Sequence, residues 1–327
     1  MRVYKLTIAP RSSFRTPLQS DTIFGHLLWA IRYLEGEDAL SAFLGLYRSD
    51  GPPPLLVSAG FPAGMLPIPV MPSIADEGTD SSIADRVVGA MLAERYLAED
   101  YLPLEQWREI ASNLSPTTLA EARARAWEQL AALKQTFQTR TIMRTAVDRI
   151  TGAAREGRLF PVEETLYAPQ ARLEIWHKLS EEGLAYGLLA RLDAYWRWIE
   201  RTGFGKRKSS GHGGLEIIEP LRPADNELPH VENPNAFVSL SAWVPTEGDP
   251  TDVTYRTRIK RGKLAELYAL RNPWKKPLIM LAPGAVARLP AGEAVREWYG
   301  GLVERIHWTM EGIVQYGYAF PLPVRMV

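Results

Sequence analysis

Apolar and polar residues alternate over Arg2–Ile8, a pattern that predicts a β-strand. A helical period follows, in which apolar residues three and four positions apart share one face: Phe24, Leu27, Leu28 and Ile31. We expect Ser20 or Asp21 to cap this helix at its N-terminus. A second amphipathic helix is predicted over Leu184–Ile199, with these residues directed inward: Leu188, Leu192, Tyr195 and Trp196.

The segments between these helices predict a strand-rich unit with insertions. Helices are expected near Ser82–Ala98 and over Pro116–Leu133, the latter with proline at its first position after a serine. Extended segments are predicted as follows: Gln135–Val147, Leu159–Leu166, Ala171–Leu179 and Leu215–Ile218, with a hairpin tip over Asp148–Gly157. The order strand, helix, strand, strand, helix, strand is that of a ferredoxin-like βαββαβ plan.

A proline-rich stretch, Pro220–Pro234, marks the expected boundary between residues 1–220 and a smaller unit of residues 221–327. The first unit holds a helical insertion at about residues 76–134 and a hairpin at about residues 140–168. The second has predicted strands and helices: strands Ala236–Trp243, Thr251–Ile259, Leu278–Leu281 and Ile313–Val324, and helices Lys263–Ala269 and Gly292–Ile306. The sequence therefore indicates an α+β protein.

Charge is balanced in total but segregated along the chain. The 327 residues carry 38 basic and 38 acidic side chains. Residues 76–109 hold nine acids against three bases, which suits a protein partner better than RNA. Bases dominate residues 137–158 (five against two acids), 201–212 (four against none) and 254–276 (eight against one). Any nucleic-acid surface must come from these basic segments.

Composition also limits the chemistry. The chain has no cysteine, which excludes disulfides, thiolate zinc sites and cysteine nucleophiles. The five histidines show no helical pair spacing, so neither a metal site nor a cofactor is expected. His26 is expected to lie at the edge of the first helix, with RNA contact or general-base catalysis as alternatives. No signal-peptide core and no apolar run of membrane-spanning length is present, and we expect a cytoplasmic, soluble protein.

The segment from Gly203 to Gly213 is the most informative stretch of the chain. Glycine pairs bracket three cations and two hydroxyls, in a loop suited to hold a polyanion: Gly203, Gly205, Lys206, Arg207, Lys208, Ser209, Ser210, Gly211, His212 and Gly213. A solvated surface loop is the alternative interpretation. A nucleotide-binding P-loop is disfavoured, because it joins a strand to a helix whereas this loop joins a helix to a strand.

Two further basic segments have open interpretations. The hairpin tip carries arginines and an apolar residue that suit a wedge between RNA bases: Arg144, Arg149, Ile150, Arg155 and Arg158. A disordered insertion is the alternative. Residues 254–276 interleave their cations with Tyr255, Tyr268 and Trp274, which suits single-stranded nucleic acid. A solvated hairpin and helix face is the alternative there.

Four stretches together resemble the RAMP superfamily, the RNA-binding proteins of CRISPR systems. Gly203–Gly213 is similar to its G-h-G-x5-G-h-G loop, with histidine at the second apolar position. Thr16–Ala30 is similar to the first-helix segment of the family of fourth subunits of type III-A (Csm) effector complexes. Asp148–Phe160 resembles the thumb hairpin of that group, and Gln315–Val324 its C-terminal strand. The resemblance spans nearly the whole chain.

The resemblance implies two ferredoxin-like (RRM-like) domains with a long thumb β-hairpin and helical insertions. It implies a non-catalytic subunit in antiviral defence that holds the 5′ handle of the CRISPR RNA, with target RNA nearby. The implied protein partners are the large polymerase/nuclease subunit and the backbone RAMP subunit of the Csm complex. Besides the glycine loop, the expected RNA contacts come from the first helix and the thumb: Ser20, Thr22, His26, Arg144, Arg149, Ile150 and Arg155.

Two alternatives to this function stay open. A metal-independent RAMP endoribonuclease would cut precursor RNA with His26 as general base and with Lys206 or Tyr4 assisting. A general single-strand-binding module outside CRISPR would bind RNA through the same basic segments without regard to the handle.

Overall fold

A computed structural model describes residues 1–49, 51–72, 100–147, 150–264 and 272–327. The side chains of residues 146–147 and 154–158 are outside this description. The predicted helix Ser82–Ala98, most of the predicted helix Lys263–Ala269, and Arg149 fall outside the described residues. The side chain of Arg155 does so as well.

The first sheet contains four antiparallel strands in the order β2-β7-β1-β8. Their bounds are β1 Arg2–Pro10, β2 Leu55–Pro62, β7 Leu173–Leu179 and β8 Leu215–Pro223. Along the chain these strands and two long helices follow the predicted βαββαβ order. Strand β1 is buried from Tyr4 through Pro10, because both of its faces are covered. The predicted α+β class is confirmed.

Helices α1 (Ser20–Glu35) and α2 (Glu37–Leu46) follow β1, and helices α6 (Glu181–Ala185) and α7 (Leu188–Thr202) precede β8. Helix α7 buries the predicted inward face, which comprises Leu188, Leu192, Tyr195 and Trp196. The predicted cap of α1 is wrong. Gln19 occupies the N-cap position without a side-chain cap bond, and Ser20 and Asp21 are buried inside the first turn.

Strand β3 (Met65–Pro67) precedes the helical insertion and pairs with β4 (Tyr101–Pro103) within it, and three helices follow in the described part of the insertion. These are α3 (Leu104–Ile110), α4 (Pro116–Arg125) and α5 (Trp127–Thr136). Ser115 and Thr118 cap α4 reciprocally, since each side chain accepts a hydrogen bond from the backbone N–H of the other. The predicted helix Pro116–Leu133 is therefore two helices that meet at Ala126.

The predicted thumb is a hairpin of strand β5 (Phe137–Val147) and strand β6 (Ala154–Tyr167). Its strands pair from Phe137 opposite Tyr167 to Val147 opposite Ala154. The tip is shorter than the predicted Asp148–Gly157, because strand pairing continues to Ala154.

Residues 221–327 form a second four-stranded antiparallel sheet in the order β10-β13-β9-β16. Its strands are β9 Ala236–Ser239, β10 Val253–Thr254, β13 Val286–Arg288 and β16 Pro321–Val324. Two hairpins accompany it: β11 Thr257–Lys260 with β12 Leu278–Leu281, and β14 Tyr299–Val303 with β15 Gln315–Ala319.

The predicted helix Gly292–Ile306 is wrong. Tyr299–Val303 is a strand, and Gly300 has a φ of +73°. A Cβ at Gly300 would lie 2.3 Å from the carbonyl oxygen of Gly317, so the close pairing of β14 with β15 requires glycine. The apolar residues of this segment recur at helical spacing, but backbone pairing with β15 decides the structure.

One apolar core joins both parts of the chain. The Phe24 ring of α1 lies 4.7 Å from the Tyr316 ring of β15, and the Val57 N–H of β2 donates to the Tyr316 hydroxyl at 2.9 Å. A smaller cluster around Phe237 and Trp243 lies within residues 237–319. The division at residues 220 and 221 stays a prediction.

Candidate nucleic-acid interface

The glycine loop connects the C-terminus of α7 to β8 with backbone angles that favour glycine. Gly203, Gly205, Gly211 and Gly213 all have φ between +73° and +81°. A Cβ at Gly213 would lie 1.8 Å from the Phe204 carbonyl oxygen. Phe204 is buried against the rings of His26 (4.6 Å) and Phe14 (6.0 Å). The glycine spacing therefore lets the loop fold over its own phenylalanine.

Several loop amides donate hydrogen bonds into the protein. The N–H of Gly205 donates to His26 Nε2 at 2.9 Å, and the N–H of Lys206 to Thr16 Oγ1 at 3.0 Å. Gly213 N–H donates to the Ser13 carbonyl oxygen at 2.9 Å. These amides fix the shape of the loop. The sequence suggested that they approach a phosphate, and the structure gives them this internal role instead.

The loop directs its polar side chains outward. Lys206, Arg207, Ser209 and Ser210 are exposed. Lys208 is half-buried, with its Nζ 5.6 Å from the centre of the Trp198 ring, and burial lowers its pKa. The exposed rim of the loop thus presents two full cations and two hydroxyls, and a third cation lies on an aromatic ring.

Sequence reasoning missed the segment Arg11–Thr16, which lies between the glycine loop and the base of the thumb. On one side, Ser12 Oγ accepts from Gly214 N–H at 2.8 Å and Ser13 Oγ bonds His212 Nδ1 at 2.8 Å. On the other, Phe14 exchanges two backbone hydrogen bonds with Thr165 of β6, at 2.9 and 2.8 Å. This segment brings the two predicted basic elements to one surface. The serine and arginine content of Arg11–Thr16 was the only feature of the sequence that could have indicated this role.

Glu164 lies at the centre of this junction, with its side chain 3% exposed. Arg140 donates to Glu164 Oε1 through Nε at 2.9 Å and Nη2 at 2.7 Å. Arg15 Nε and His212 Nδ1 each lie 3.8 Å from Glu164 Oε2. The Arg140 hydrogen bonds, more than any other contact, lower the pKa of Glu164.

The junction carries an excess of positive charge. Burial and then the charge of Arg144 lower the pKa of Arg15, against the opposing effect of Glu164. Burial and then the charge of Arg15 lower the pKa of His212. One carboxylate faces several guanidinium groups here, so an approaching anion meets a favourable potential.

We expect Glu164→Gln to destabilise the protein by about 2 kcal/mol near neutral pH, because the Arg140 hydrogen bonds lose their charged acceptor. The pKa of Glu164 is lower in the folded protein than its ordinary value. Its ionised carboxylate therefore stabilises the fold at pH above that ordinary value, and this stabilisation is lost as pH falls below it. The gap between wild type and variant should therefore be smaller at about pH 3.5 than at neutral pH. Denaturant unfolding of both proteins at neutral pH and at about pH 3.5 measures this gap. Glu163→Gln, on the exposed opposite face of β6, is the control. A gap unchanged at low pH would contradict the assignment.

The thumb directs one face toward this junction. Cross-strand pairing places Arg140 opposite Glu164 and Arg144 opposite Phe160, and alternation puts these four side chains on one face. Arg144 is exposed, as is Phe160 at 42%. Ile150, at the tip, is 96% exposed. The predicted thumb residues that the structure describes thus border the glycine loop at the base and solvent at the tip.

The first turn of α1 contributes less to the surface than predicted. Ser20 is fully buried, and its Oγ accepts from the Ala242 N–H at 3.1 Å, so its predicted RNA contact is wrong. Thr22 Oγ1 accepts from Lys260 Nζ at 2.8 Å. His26 is held beneath the loop, and burial, followed by the charges of Lys208 and Lys260, lowers its pKa to about 3.

Within the described part of the chain, no group of histidine and carboxylate side chains is positioned to hold a metal ion. No helix found there is both long and apolar enough to cross a bilayer.

Comparison with known proteins defines the class of fold. No family model and no curated protein matches this chain. Solved structures that match include those of type III-A CRISPR-Cas assemblies, and the likeness to them shows a shared fold. A chain of the Csm3–Csm4 subcomplex of the type III-A interference complex is 12% identical, with a TM-score of 0.63 over 99% of this chain and 100% of that chain.

A chain of the Csm1–Csm4 cassette in complex with pppApA is 17% identical, with a TM-score of 0.58 over 100% of this chain and 99% of that chain. The same cassette in complex with cA4 also gives a TM-score of 0.58 at 17% identity, over 99% of both chains. Csm4 is the component common to these assemblies. This chain shares its fold with Csm4.

Proposed function

We propose that this chain is a non-catalytic RNA-binding subunit of a type III-A CRISPR effector complex in antiviral defence. It holds the 5′ handle of the CRISPR RNA in the cytoplasm and links the large polymerase/nuclease subunit to the backbone subunits. The observation that carries this proposal is the junction at which Arg11–Thr16 joins the glycine loop to the thumb. Two basic elements that are more than 30 residues apart in sequence form one cationic surface there.

The chemistry of this surface suits a single RNA strand. Lys206, Arg207 and Arg144 are exposed cations for phosphates, and Ser209 and Ser210 offer neutral donors. Phe160 and Ile150 offer exposed apolar groups on the thumb against which splayed bases pack. A protein that binds a fixed RNA handle needs both kinds of contact, since phosphates position the strand and bases identify it.

The architecture and the partners belong to the same proposal. Residues 1–220 form a ferredoxin-like domain with the helical insertion and the thumb, and residues 221–327 form a smaller unit on the second sheet. The similar folds come from a Csm1–Csm4 cassette and a Csm3–Csm4 subcomplex, and we propose that the equivalents of Csm1 and Csm3 are the protein partners here. CRISPR RNA is the nucleic-acid ligand, and target RNA passes nearby.

The geometry around His26 argues against the endoribonuclease alternative. A general base needs an accessible lone pair, and Nε2 of His26 accepts the Gly205 N–H. Its Nδ1 is buried without a hydrogen-bond partner among the described residues. We expect no defined cleavage when the purified protein is incubated with repeat RNA in EDTA, as resolved on a denaturing gel. Cleavage that disappears in His26→Ala would overturn the non-catalytic assignment.

Replacing Lys206, Arg207 and Lys208 together with alanine should weaken binding of the handle RNA by about 10- to 100-fold. Three lost phosphate contacts should also reduce the slope of log affinity against log salt by about 2, since each contact on a single strand contributes about 0.7. Fluorescence anisotropy with a labelled handle oligonucleotide over a salt series measures both quantities.

A matched control removes the same charge elsewhere. Arg2, Arg48 and Arg125 are exposed and each faces a carboxylate, so their joint replacement with alanine should leave the slope unchanged. An equal loss in both triple variants would remove the loop from the RNA site. Affinity that is indifferent to the handle sequence would favour a general single-strand-binding module instead.

A further inference from the structure

Three aromatic side chains form a continuous strip on the surface of helices α1 and α7. Trp29 and Tyr33 lie one helical turn apart on α1, and Trp198 lies near the end of α7. The ring centres of Trp29 and Tyr33 are 5.8 Å apart, and those of Tyr33 and Trp198 are 5.4 Å apart, with the planes inclined by 30° and 21°. Direct ring contacts therefore join the two helices into one aromatic strip.

The rings of the aromatic strip are stacked with a large offset. Carbon atoms in contact lie about 3.5 Å apart, so these centre distances imply that each ring is displaced sideways from the next by about 4 Å. Tyr33, the middle ring, is accordingly 52% exposed, and Trp29 and Trp198 are half-buried. The strip thus keeps aromatic surface open to a ligand.

The aromatic strip meets the glycine loop at Lys208. The Nζ atom of this loop lysine lies 5.6 Å from the centre of the Trp198 ring. Arg201, one helical turn after Trp198, is exposed, and its Nε donates to the Arg197 carbonyl oxygen at 3.3 Å. Aromatic rings beside cations suit a single nucleic-acid strand, because the rings stack on bases and the cations contact phosphates. The strip therefore continues the cationic surface of the loop.

The opposite end of the strip is acidic. Arg32 lies over Trp29, with Cζ 5.2 Å from the ring centre, and its Nε lies 2.7 Å from Glu37 Oε2. Glu35 and Glu37 are exposed at the end of α1. Carboxylates repel phosphates, so a nucleic-acid strand is confined to the end of the strip nearer the glycine loop.

We propose that Tyr33 and Trp198 stack unpaired bases of the RNA strand that the glycine loop holds. Lys208 and Arg201 contact the phosphates that connect these bases to the loop. The inference rests on the proposed function and extends its RNA site from the loop onto the surface of α1 and α7. Stacking uses the face that every base has, so the strip adds affinity for a single strand without selecting its sequence.

A protein partner is the less suitable occupant of this surface. An apolar protein face placed on the strip would cover Lys208 and Arg201, and two cations buried without carboxylates are costly. Packing of α1 against α7 alone is the remaining interpretation of the rings. In that case the stability of the chain would depend on Tyr33, and its RNA affinity would not.

The test compares wild type with Tyr33→Ala in the full chain, by fluorescence anisotropy with labelled handle RNA that carries several guide nucleotides. We expect the affinity to fall about 10-fold, as for the loss of one stacked base. The slope of log affinity against log salt should stay at its wild-type value, because stacking releases no counterions. Wild-type affinity in the variant would overturn the proposal. A reduced slope would also overturn it, since the loss would then come from displaced cations.

Two substitutions at the same position separate stacking from apolar packing. Tyr33→Phe keeps the planar ring and should bind as wild type does. Tyr33→Leu keeps an apolar side chain without the plane and should lose as much affinity as Tyr33→Ala. Leucine with wild-type affinity would overturn the proposal in favour of an apolar contact. A lower melting temperature with unchanged affinity would reduce the strip to helix packing.

Trp308→Ala is the matched control elsewhere on the surface. Trp308 is 63% exposed, and Lys276 Nζ lies 5.3 Å from its ring centre, so it repeats the pairing of an exposed ring with a lysine. Its removal should leave the RNA affinity unchanged. An affinity loss equal to that of Tyr33→Ala would overturn the assignment to the strip.

Abasic nucleotides test the same contact from the RNA side. Moved along the RNA one position at a time, an abasic site should weaken binding to wild type about 10-fold at one or two adjacent positions. At those positions it should cause no further loss in Tyr33→Ala, because the same contact is already absent. Losses that simply add to that of the variant at every position would overturn the proposal.

A measurement on wild type keeps the inference testable if the variants unfold. RNA with 4-thiouridine at the identified positions, or at each position in turn, should cross-link under ultraviolet light to the peptide of Tyr33 or of Trp198. Cross-links only to other peptides would overturn the inference. A wild-type chain that does not bind handle RNA would instead reject the proposed function itself, whereas binding that ignores the strip rejects the strip alone.

Discussion

Replacing Gly213 with alanine is expected to destabilise the protein by about 3 kcal/mol. The new Cβ would lie 1.8 Å from the Phe204 carbonyl oxygen, at a residue whose φ is +73°. The backbone must move to relieve this overlap, and the movement breaks the hydrogen bond from Phe204 N–H to the Gly213 carbonyl oxygen. Thermal unfolding measures the loss of stability, and anisotropy with handle RNA measures the accompanying loss of affinity.

Gly211→Ala is the matched control. Gly211 has a similar φ of +80°, but a Cβ there meets nothing within 4 Å. Its cost should be about 1 kcal/mol, the strain of the left-handed conformation alone. Equal destabilisation by the two substitutions would show that the close approach of residues 204 and 213 does not hold the loop.

Replacing Asp21 with asparagine is expected to destabilise the protein by about 3 kcal/mol. The Asp21 side chain is fully buried, and it accepts from Gln315 Nε2 at 2.9 Å besides pairing with Arg258 and Lys260. Asparagine keeps the shape but leaves two cations without a carboxylate. Denaturant unfolding at neutral pH measures the effect, and limited proteolysis of residues 254–276 reports whether the hairpin detaches.

The pH dependence of this effect has a definite sign. Burial alone would raise the pKa of Asp21, but the charges of Lys260 and Arg258 outweigh it and hold the pKa below its ordinary value. The stabilisation is therefore present above the ordinary aspartate range and is lost as pH falls below it. Glu37→Gln is the control, because the ion pair of Glu37 with Arg32 is exposed. This substitution should lower the stability by less than about 1 kcal/mol at neutral pH, and by a similarly small amount at low pH. A variant gap that stays constant down to about pH 3 would exclude this ion pair as the cause.

Local signals predicted the elements from which the RNA surface is built. Glycine spacing indicated the tight loop, and four glycines do adopt positive φ there. Alternation indicated the first strand, and Thr- and Arg-rich composition indicated the extended segment that forms β5 of the thumb. These features depend on residues close in sequence, for which composition and period are adequate guides.

The same signals failed where a neighbour distant in the chain decides the structure. Residues 292–306 have helical spacing, but Gly300 pairs too closely with Gly317 for any side chain, and the segment is a strand. Serine is a residue type that often caps helices, but the Ser20 side chain is buried and accepts a hydrogen bond from the Ala242 N–H. In both cases the deciding neighbour is distant in the chain, and no local pattern contains it.

The sequence alone determined the α+β class, the βαββαβ order of the first unit, the glycine loop, and the resemblance to RAMP proteins. Only the tertiary structure decided which charges are exposed. Asp21 pairs with Arg258 across 237 positions and also with Lys260, so these two cations of the most basic segment are neutralised inside the fold. Arg11–Thr16 joins loop to thumb in the same non-local way. The physical reason is that charge along the chain is a local property, whereas its neutralisation depends on which distant groups the fold brings together.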